Sequence, residues 1–445
     1  MTLMVSVSGV RGIVGDSLNP DVIGRWVRAL AAILPPGPVV IGRDSRTTGE
    51  ALSAAATAFF VASGRDVHDV GLVPTPTVQL AVELWHAAGG IILSASHNPG
   101  QWNALKFVDH GGSFLSPERF QELVAAHEQN SSPWSEARGY GGMQRRHEEA
   151  LDAHCAAVLQ GLDVARIREA KLKVALECGH GAGGTLLPRV AAELGVDLHV
   201  RHEEPNGQLL PNPEPTLGTL TKISEEIGPG YAFLAMTDPD ADRCGFAIPG
   251  TEFLGEEWTL PLVVAHRLSQ AKGPVVTNLS TSTRLDVTAE RHGVSLHRTP
   301  VGEAHVVAGL RELGGLIGGE GNGGVIDPRV HLGRDAAVAL AVLCEAEATQ
   351  VGGLRGLAAS FPTRIMVKEK LPISENEGKG WEGPLESKLG PAEDRRDGLR
   401  WSFPDGFLHV RASNTEPIVR VVAEAETESV ARDRIMGARD ALENS

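Results

Sequence analysis

The chain has 445 residues, is 42% hydrophobic and 22% charged, and sets 56 Asp and Glu against 41 Lys and Arg, a net charge of −15. That length exceeds what one core supports, so several domains are expected; the acidic balance excludes a broad basic face for nucleic acid. With no membrane-length apolar run and no secretory signal at its start, the chain is expected in the cytoplasm, its four scattered cysteines reduced.

Strand-like and helix-like patterns alternate from about residue 38 to about residue 345. Residues 38–42 predict a strand, 50–63 an Ala-rich helix, 66–71 a second strand and 77–86 a second helix. The pattern restarts with a strand at 171–178 and a helix at 185–195, and again with a strand at 273–278 and a helix at 284–292. Such alternation implies parallel or mixed sheets with helices on both faces, here as three α/β domains over 1–150, 151–252 and 253–366. Charged, Gly-containing sequence at 368–398 breaks the pattern and reads as a flexible connection. Two strands and a terminal helix at 401–445 then make a small α+β domain, the whole unit being 367–445.

Five stretches offer chemistry. The apolar strand at 90–93 stops at Ser94-Ala-Ser96-His97-Asn-Pro-Gly100, a turn by its own composition. Loops at the carboxyl ends of strands in an open α/β sheet bind ligands, although turn hydroxyls also serve backbone groups. Asp238-Pro-Asp240-Ala-Asp242-Arg243 places three carboxylates at alternate positions after a strand, where they can converge on a hard divalent cation. An EF-hand is excluded, because its glycine position holds Arg243 and its bidentate Glu position holds Pro249. Few ligands and a flanking arginine suit Mg²⁺.

Gly318-Gly-Glu320-Gly-Asn322-Gly-Gly-Val325 lets backbone approach a ligand, with Glu320 and Asn322 offering groups that read sugar hydroxyls. Arg411-Ala-Ser413-Asn414-Thr415-Glu-Pro417, with Arg420 beyond, can cradle a phosphate or merely cap a strand end. Gly179-His-Gly181-Ala-Gly-Gly184 fits a dinucleotide fingerprint, with Glu203 and Glu204 about 20 residues on, and keeps an NAD-dependent oxidoreductase as a rival. Close helix–strand packing explains those glycines equally well.

The first four stretches, in this order and at these separations, resemble the α-D-phosphohexomutase family. So do Ser8-Gly-Val-Arg11-Gly12, Gly42-Arg-Asp-Ser-Arg46, Thr75-Pro76 and Thr299-Pro-Val-Gly302. The resemblance spans nearly the whole chain. It implies four domains around a central cleft: three mixed-sheet α/β domains bearing the phosphoserine, metal and sugar loops, and a small phosphate-binding domain. By it, Ser96 carries the phosphate, and Asp238, Asp240 and Asp242 hold Mg²⁺ together with an oxygen of that phosphate. Arg11, Lys106 and Arg243 surround the phosphate, with His97 in the same catalytic set and Lys106 a candidate general acid/base. Glu320 and Asn322 read the sugar, and Arg411, Ser413, Asn414, Thr415 and Arg420 clamp the non-reacting phosphate.

The implied reaction moves a phosphate between O6 and O1 of a hexose through a hexose 1,6-bisphosphate, which is intermediate and activator. A phosphoserine adds about −1.5 to −2 of charge beside three aspartates, so the cations are needed before a second phosphate can approach. The expected partner is a small hexose phosphate, not nucleic acid or membrane, and the protein is expected as a monomer or homodimer. A catalytically silent sugar-phosphate sensor of the same fold is the third reading; retention of Ser96, Lys106 and the three aspartates argues against it.

Family glycine loops often read Gly-Glu-x-Ser-Gly-His, whereas this chain has Asn322 and Gly324 at the last variable positions. The loop after Gly302 often carries Lys or Arg, where this chain has Glu303-Ala304-His305, making His305 a candidate phosphate or sugar contact. Serine at position 94 and the chain's length resemble the phosphoglucosamine branch. Interconversion of glucosamine 6-phosphate and glucosamine 1-phosphate is therefore expected, with glucose and mannose phosphates as the alternative.

Overall fold

The computed structural model describes residues 3–130, 134, 139–372, 380–413 and 418–443. Four sheets follow one another along the chain. The first has seven strands in the spatial order Met4–Ser6, Gly9–Ile13, Trp102–Asp109, Gly89–Leu93, Val39–Arg43, Val67–Leu72 and Met143–Arg145. Its middle is parallel, with Val39–Arg43 between Val67–Leu72 and Gly89–Leu93. Trp102–Asp109 then runs antiparallel to both of its neighbours.

The second sheet centres on Lys173–Glu177, parallel to Asp197–Arg201 and Leu234–Thr237, and ends in the antiparallel strands Cys244–Ala247 and Leu254–Gly255. The third is Leu296–Thr299, Val275–Asn278, Ile317–Glu320 and Gly324–Ile326, parallel except at its last pair. Both are mixed sheets, as the alternation predicts.

The fourth sheet is wholly antiparallel, and here the structure corrects the expectation. It has four strands, Ile365–Pro372, Ile418–Ala425, Gly406–Ala412 and Leu399–Phe403. Much of the stretch expected as a connection is ordered: it holds most of Ile365–Pro372 and the helix Glu382–Leu389. Ile365–Pro372 is an edge strand with mostly exposed or half-exposed residues, so Lys368, Glu369 and Lys370 put charge on both of its faces and give it a linker's composition.

Helix starts follow local chemistry. Asn19 Oδ1 accepts from Val22 N at 3.0 Å, with Pro20 first in the helix Pro20–Ile33. Asp335 Oδ1 accepts from Ala337 N and Val338 N to start Ala336–Thr349. That second helix is apolar all round and buried along nearly its full length, as a helix at the centre of a large core must be. Its Leu340 and Leu343 share one hydrophobic cluster with Ile92 of the first sheet, Leu176 of the second and Ile317 of the third.

Each such side chain contributes about 1.5–3 kcal/mol on burial, so the first three domains are held by a continuous core rather than by their loops. The C-terminal domain has its own core around Leu385, Trp401, Val410, Val421 and Ile435. All four cysteines are buried and unpaired. No single helix among the described residues is long and apolar enough to cross a membrane.

Candidate active site

Gly89–Leu93 is fully buried and delivers Ser96 to the carboxyl edge of the first sheet. Ser96 has φ of 47°, in the left-handed region that a non-glycine residue adopts at a cost of about 1–3 kcal/mol. Arg46 over-determines that conformation. Its buried guanidinium, fixed by Asp44 Oδ2 at 3.1 Å, donates to Ser96 O and Asn98 O at 2.6 Å, Pro99 O at 2.8 Å and Trp102 O at 3.1 Å. Ser94 Oγ accepts from Ser96 N at 3.0 Å. The sequence around residues 42–46 resembles the family; its work of gripping the serine loop is visible only in three dimensions.

Across a domain boundary, Ser96 Oγ donates to Asp238 Oδ2 at 2.9 Å. Asp238, Asp240 and Asp242 are fully buried, and one ligand oxygen from each falls within 4.8 Å of the others. Each carboxylate meets a cation: Arg243 Nε reaches Asp238 Oδ2 at 3.1 Å, Lys106 Nζ reaches Asp240 Oδ2 at 2.5 Å, and Arg334 Nη2 reaches Asp242 Oδ2 at 2.5 Å. Thr75 ties the first domain to this loop, N donating to Asp240 O at 2.9 Å and Oγ1 to Asp240 Oδ2 at 2.7 Å.

Burial, and after it Asp242, push the Asp238 carboxyl well above the usual range. For Asp240, burial acts the same way, but Lys106 overturns it and the carboxyl is held ionised. Lys106 is in turn kept charged against its own burial by Asp240 and Asp242. Arg11 Nη1 donates to Asn98 Oδ1 at 3.1 Å. Burial and then Arg243 hold His97 down to about 4, so its ring is neutral and Nδ1 accepts from Arg243 Nη2 at 3.0 Å.

Glu320 ends its strand with both carboxylate oxygens engaged: Oε1 by Asn278 Nδ2 at 2.8 Å and Gly302 N at 3.0 Å, Oε2 by Arg334 Nη1 at 2.8 Å. The neighbouring Val301 N donates to Asp397 Oδ2 at 2.9 Å, and Asp397 pairs with Arg411 at 3.1 Å. Glu320, Asn322, Arg411 and Arg420 line one cavity of about 330 Å³ between the third and fourth domains.

Register explains the cationic wall of that cavity. Arg411 lies opposite Arg420, and Arg420 opposite Lys370, across three adjacent strands. Directly opposed residues share a face at about 4.5–5.5 Å between Cβ atoms, so three positive charges stand in a row, Asp397 pairing with one of them. Lys370 has no motif of its own in the sequence. Ser413 N donates to Ile418 O at 2.9 Å; Asn414 and Thr415 lie outside the described residues. His305 sits near the start of the helix Glu303–Leu313 and does not line the cavity.

Models of all four domains of one family match in order: phosphoglucomutase/phosphomannomutase alpha/beta/alpha domain I over residues 3–133, domain II over 152–251, domain III over 259–364 and the C-terminal domain over 365–440. A phosphoglucomutase/phosphomannomutase of Thermococcus kodakarensis is 34% identical over 96% of this chain and 95% of its own length. The chain belongs to this family of α-D-phosphohexomutases. It is a phosphohexomutase, an intramolecular phosphotransferase. A probable phosphoglucosamine mutase of Methanopyrus kandleri is 33% identical over 96% of this chain and 94% of its own length. A solved phosphoglucomutase/phosphomannomutase family protein of Burkholderia thailandensis superposes with a TM-score of 0.85, at 25% identity over 99% of this chain and 98% of that one.

The aspartate loop of this phosphohexomutase fits a divalent cation. Asp240 Oδ1 and Asp242 Oδ1 are buried without a hydrogen-bond partner among the described residues, while the other oxygen of each is taken by a cation. Arg243 Nε comes only to 3.7 Å of Asp242 Oδ1, and buried carboxylate oxygens without a hydrogen bond are costly unless a cation meets them.

The dinucleotide reading does not survive. A Cβ on Gly181 would stand 2.7 Å from Pro239 O, and one on Gly184 would overlap Glu203 O. Ala182 N also donates to Pro239 O at 2.7 Å, so the glycines pack the helix Gly183–Glu193 onto the mutase's own aspartate loop. A larger hollow of about 560 Å³ lies elsewhere on the first domain, beside Ala54, Ala58, Val61 and His147. None of the expected site residues lines it.

Proposed function

We propose that the enzyme interconverts glucosamine 6-phosphate and glucosamine 1-phosphate, with Ser96 carrying the phosphate that is exchanged. The observation that carries this reading is the hydrogen bond of Ser96 Oγ to Asp238, beside two aspartate oxygens without a hydrogen-bond donor among the described residues. Asp238, Asp240, Asp242 and the Ser96 phosphate would hold Mg²⁺. When bound, the ion offsets charge on the transferring phosphoryl group.

The chain's own residues supply the rest. The Ser96 Oγ–P bond breaks as the free sugar hydroxyl bonds to phosphorus; the hydroxyl proton passes to water, and water returns one to the group that protonates Ser96 Oγ. Lys106, held protonated by Asp240, is suited to give that proton rather than to take one. Arg11 and Arg243 offset charge on the equatorial oxygens, and His97 fixes Arg243 through its neutral Nδ1. The resulting 1,6-bisphosphate reorients, and its other phosphate returns to Ser96. Through both halves Arg411, Arg420 and Lys370 hold whichever phosphate is not reacting. A loose phosphoryl-transfer transition state asks mainly for such positioning.

A second reading, a phosphoglucomutase/phosphomannomutase, is favoured by one specific observation. Glu320 spends both oxygens on Asn278, Gly302 and Arg334, and Asn322 Oδ1 accepts from Gly324 N at 3.2 Å. Neither is left as an acceptor dedicated to a 2-ammonium group. Measuring kcat/KM on glucosamine, glucose and mannose phosphates, each with its 1,6-bisphosphate, decides between the readings. Glucosamine phosphate is expected to lead; a tenfold advantage for either other sugar would replace the substrate while keeping the mutase.

A further inference from the structure

Arg334 pairs with three carboxylates that belong to different parts of the site. Nη2 meets Asp242 at 2.5 Å, Nη1 meets Glu320 at 2.8 Å and Nε meets Glu303 at 2.9 Å. The backbone beside it makes the same span: Asp335 N donates to Val325 O at 2.9 Å, and Ala336 N to Ala241 O at 3.2 Å. The segment thus docks on the glycine-loop strand with one amide and on the aspartate loop with the next. A planar guanidinium is the one side chain whose fixed fork can meet three carboxylates at once.

Gly324 supplies an independent observation. Its φ is not in the left-handed region, so its conformation does not call for glycine. What calls for glycine is space: a Cβ on residue 324 would overlap Arg334 Cδ, and its next neighbours would be Arg334 Cγ at 3.0 Å and Asn322 Oδ1 at 3.1 Å. Many family loops carry a histidine here. In this chain the stem of Arg334 runs through the place where that side chain would begin.

We propose that Arg334 is a positioning residue that holds the aspartate loop and the glycine loop in one register, and that residue 324 is glycine to admit it. Sugar contacts and phosphoryl-transfer contacts are thereby set relative to each other by one side chain. Without it, Asp242, Glu303 and Glu320 face one another with no shared cation. Arg334 also shares Asp242 with any metal bound there, so it tempers the loop's affinity for cations. The inference rests on the mutase reading above.

The test uses the full chain, with Mg²⁺ binding followed by calorimetry and turnover followed on hexose phosphates. Arg334→Met is expected to lower kcat on the order of 10²-fold, as a misplacement of about 1 Å does. It is expected to tighten Mg²⁺ binding about threefold or more, because a cation beside Asp242 is gone. Arg334→Lys restores the charge but not the fork, so Mg²⁺ affinity should return toward that of the unsubstituted enzyme while kcat stays low. Gly324→Ala should reproduce the kcat loss by displacing the stem, and Gly324→Ala with Arg334→Met should be no worse than Arg334→Met alone.

Weaker Mg²⁺ binding in Arg334→Met, a kcat within about threefold of the unsubstituted enzyme, or losses that multiply in the double variant would each overturn the proposal. An unsubstituted enzyme with no turnover of any hexose phosphate would instead defeat the mutase reading. The Mg²⁺ titration still reads Arg334 in that case.

Discussion

The two ends of the cleft are built on opposite principles. At the proposed reacting end, Ser96, Lys106, Arg243 and the three aspartates come from two domains and are almost wholly withdrawn from water, each charge answered by another. At the proposed clamp end, Lys370, Arg420 and Arg411 come from one antiparallel sheet, with Arg420 exposed and Arg411 paired to Asp397, and their like charges stand side by side on one face. The first end is assembled by the continuous core of three domains; the second belongs to a domain with a core of its own. Charge buried by folding is costly to disturb, whereas charge left at a surface for a ligand is not. Variants at the reacting end should therefore damage both catalysis and stability, and variants at the clamp end chiefly binding.

The largest effect is expected from Ser96→Ala, which should lose turnover by on the order of 10⁴-fold or more. Intact mass and peptide mapping should show a phosphate-sized increment on the peptide holding Ser96 in the unsubstituted protein and none in the variant. Full activity in Ser96→Ala would remove the mechanism, and an increment on Ser94 would move it by two residues.

Asp240→Asn should abolish Mg²⁺ binding by calorimetry. It also takes from the buried Lys106 its nearer carboxylate, leaving only Asp242 Oδ2 at 4.0 Å, for a loss of about 3–5 kcal/mol of stability by denaturant titration. Unchanged stability would show that the pair is not maintained in solution and would erase the contrast between the two ends.

Arg420→Ala should raise KM for hexose phosphates about tenfold or more, the loss of one charged hydrogen bond of about 1.5–3 kcal/mol. Its kcat should stay within a few-fold and its melting temperature should be unchanged. A kcat loss as large as that of Asp240→Asn would make the clamp part of the reacting end.

The smallest effect concerns pH at the seam between the third and fourth domains. His409 Nε2 donates to Asp397 O at 2.7 Å, and its Nδ1 accepts from Ser280 Oγ at 2.8 Å. Burial is the main cause holding it down to about 4, against about 6.5 in an unfolded chain. Between these values the unfolded state binds more protons, so stability is full above pH 6.5 and is lost as pH falls toward 4. His409→Gln should flatten that slope, by about 1–2 kcal/mol between pH 7 and pH 5. Chemical denaturation at the two pH values measures it, and an unchanged slope would mean that another group titrates there.

Much of the architecture was legible in the chain because it rests on local chemistry. Periodicity marks the strands and helices of the first three domains, and turn residues mark where the strands stop. The alternate aspartates announce their own convergence, since three carboxylates on one short loop need no distant partner to meet. The edge strand Ile365–Pro372 escaped because three successive residues put charge on both of its faces, and charge without periodicity looks like linker.

Tertiary structure alone decided which cation answers each carboxylate. Arg334 lies 92 residues from Asp242 and Arg46 lies 50 from Ser96, and nothing in either neighbourhood names its partner. The two glycine motifs show the same limit: one shuts against Pro239 and Glu203, the other opens beside a cavity and admits an arginine stem. A glycine reports that a side chain is absent. Only the folded chain determines what takes up the space.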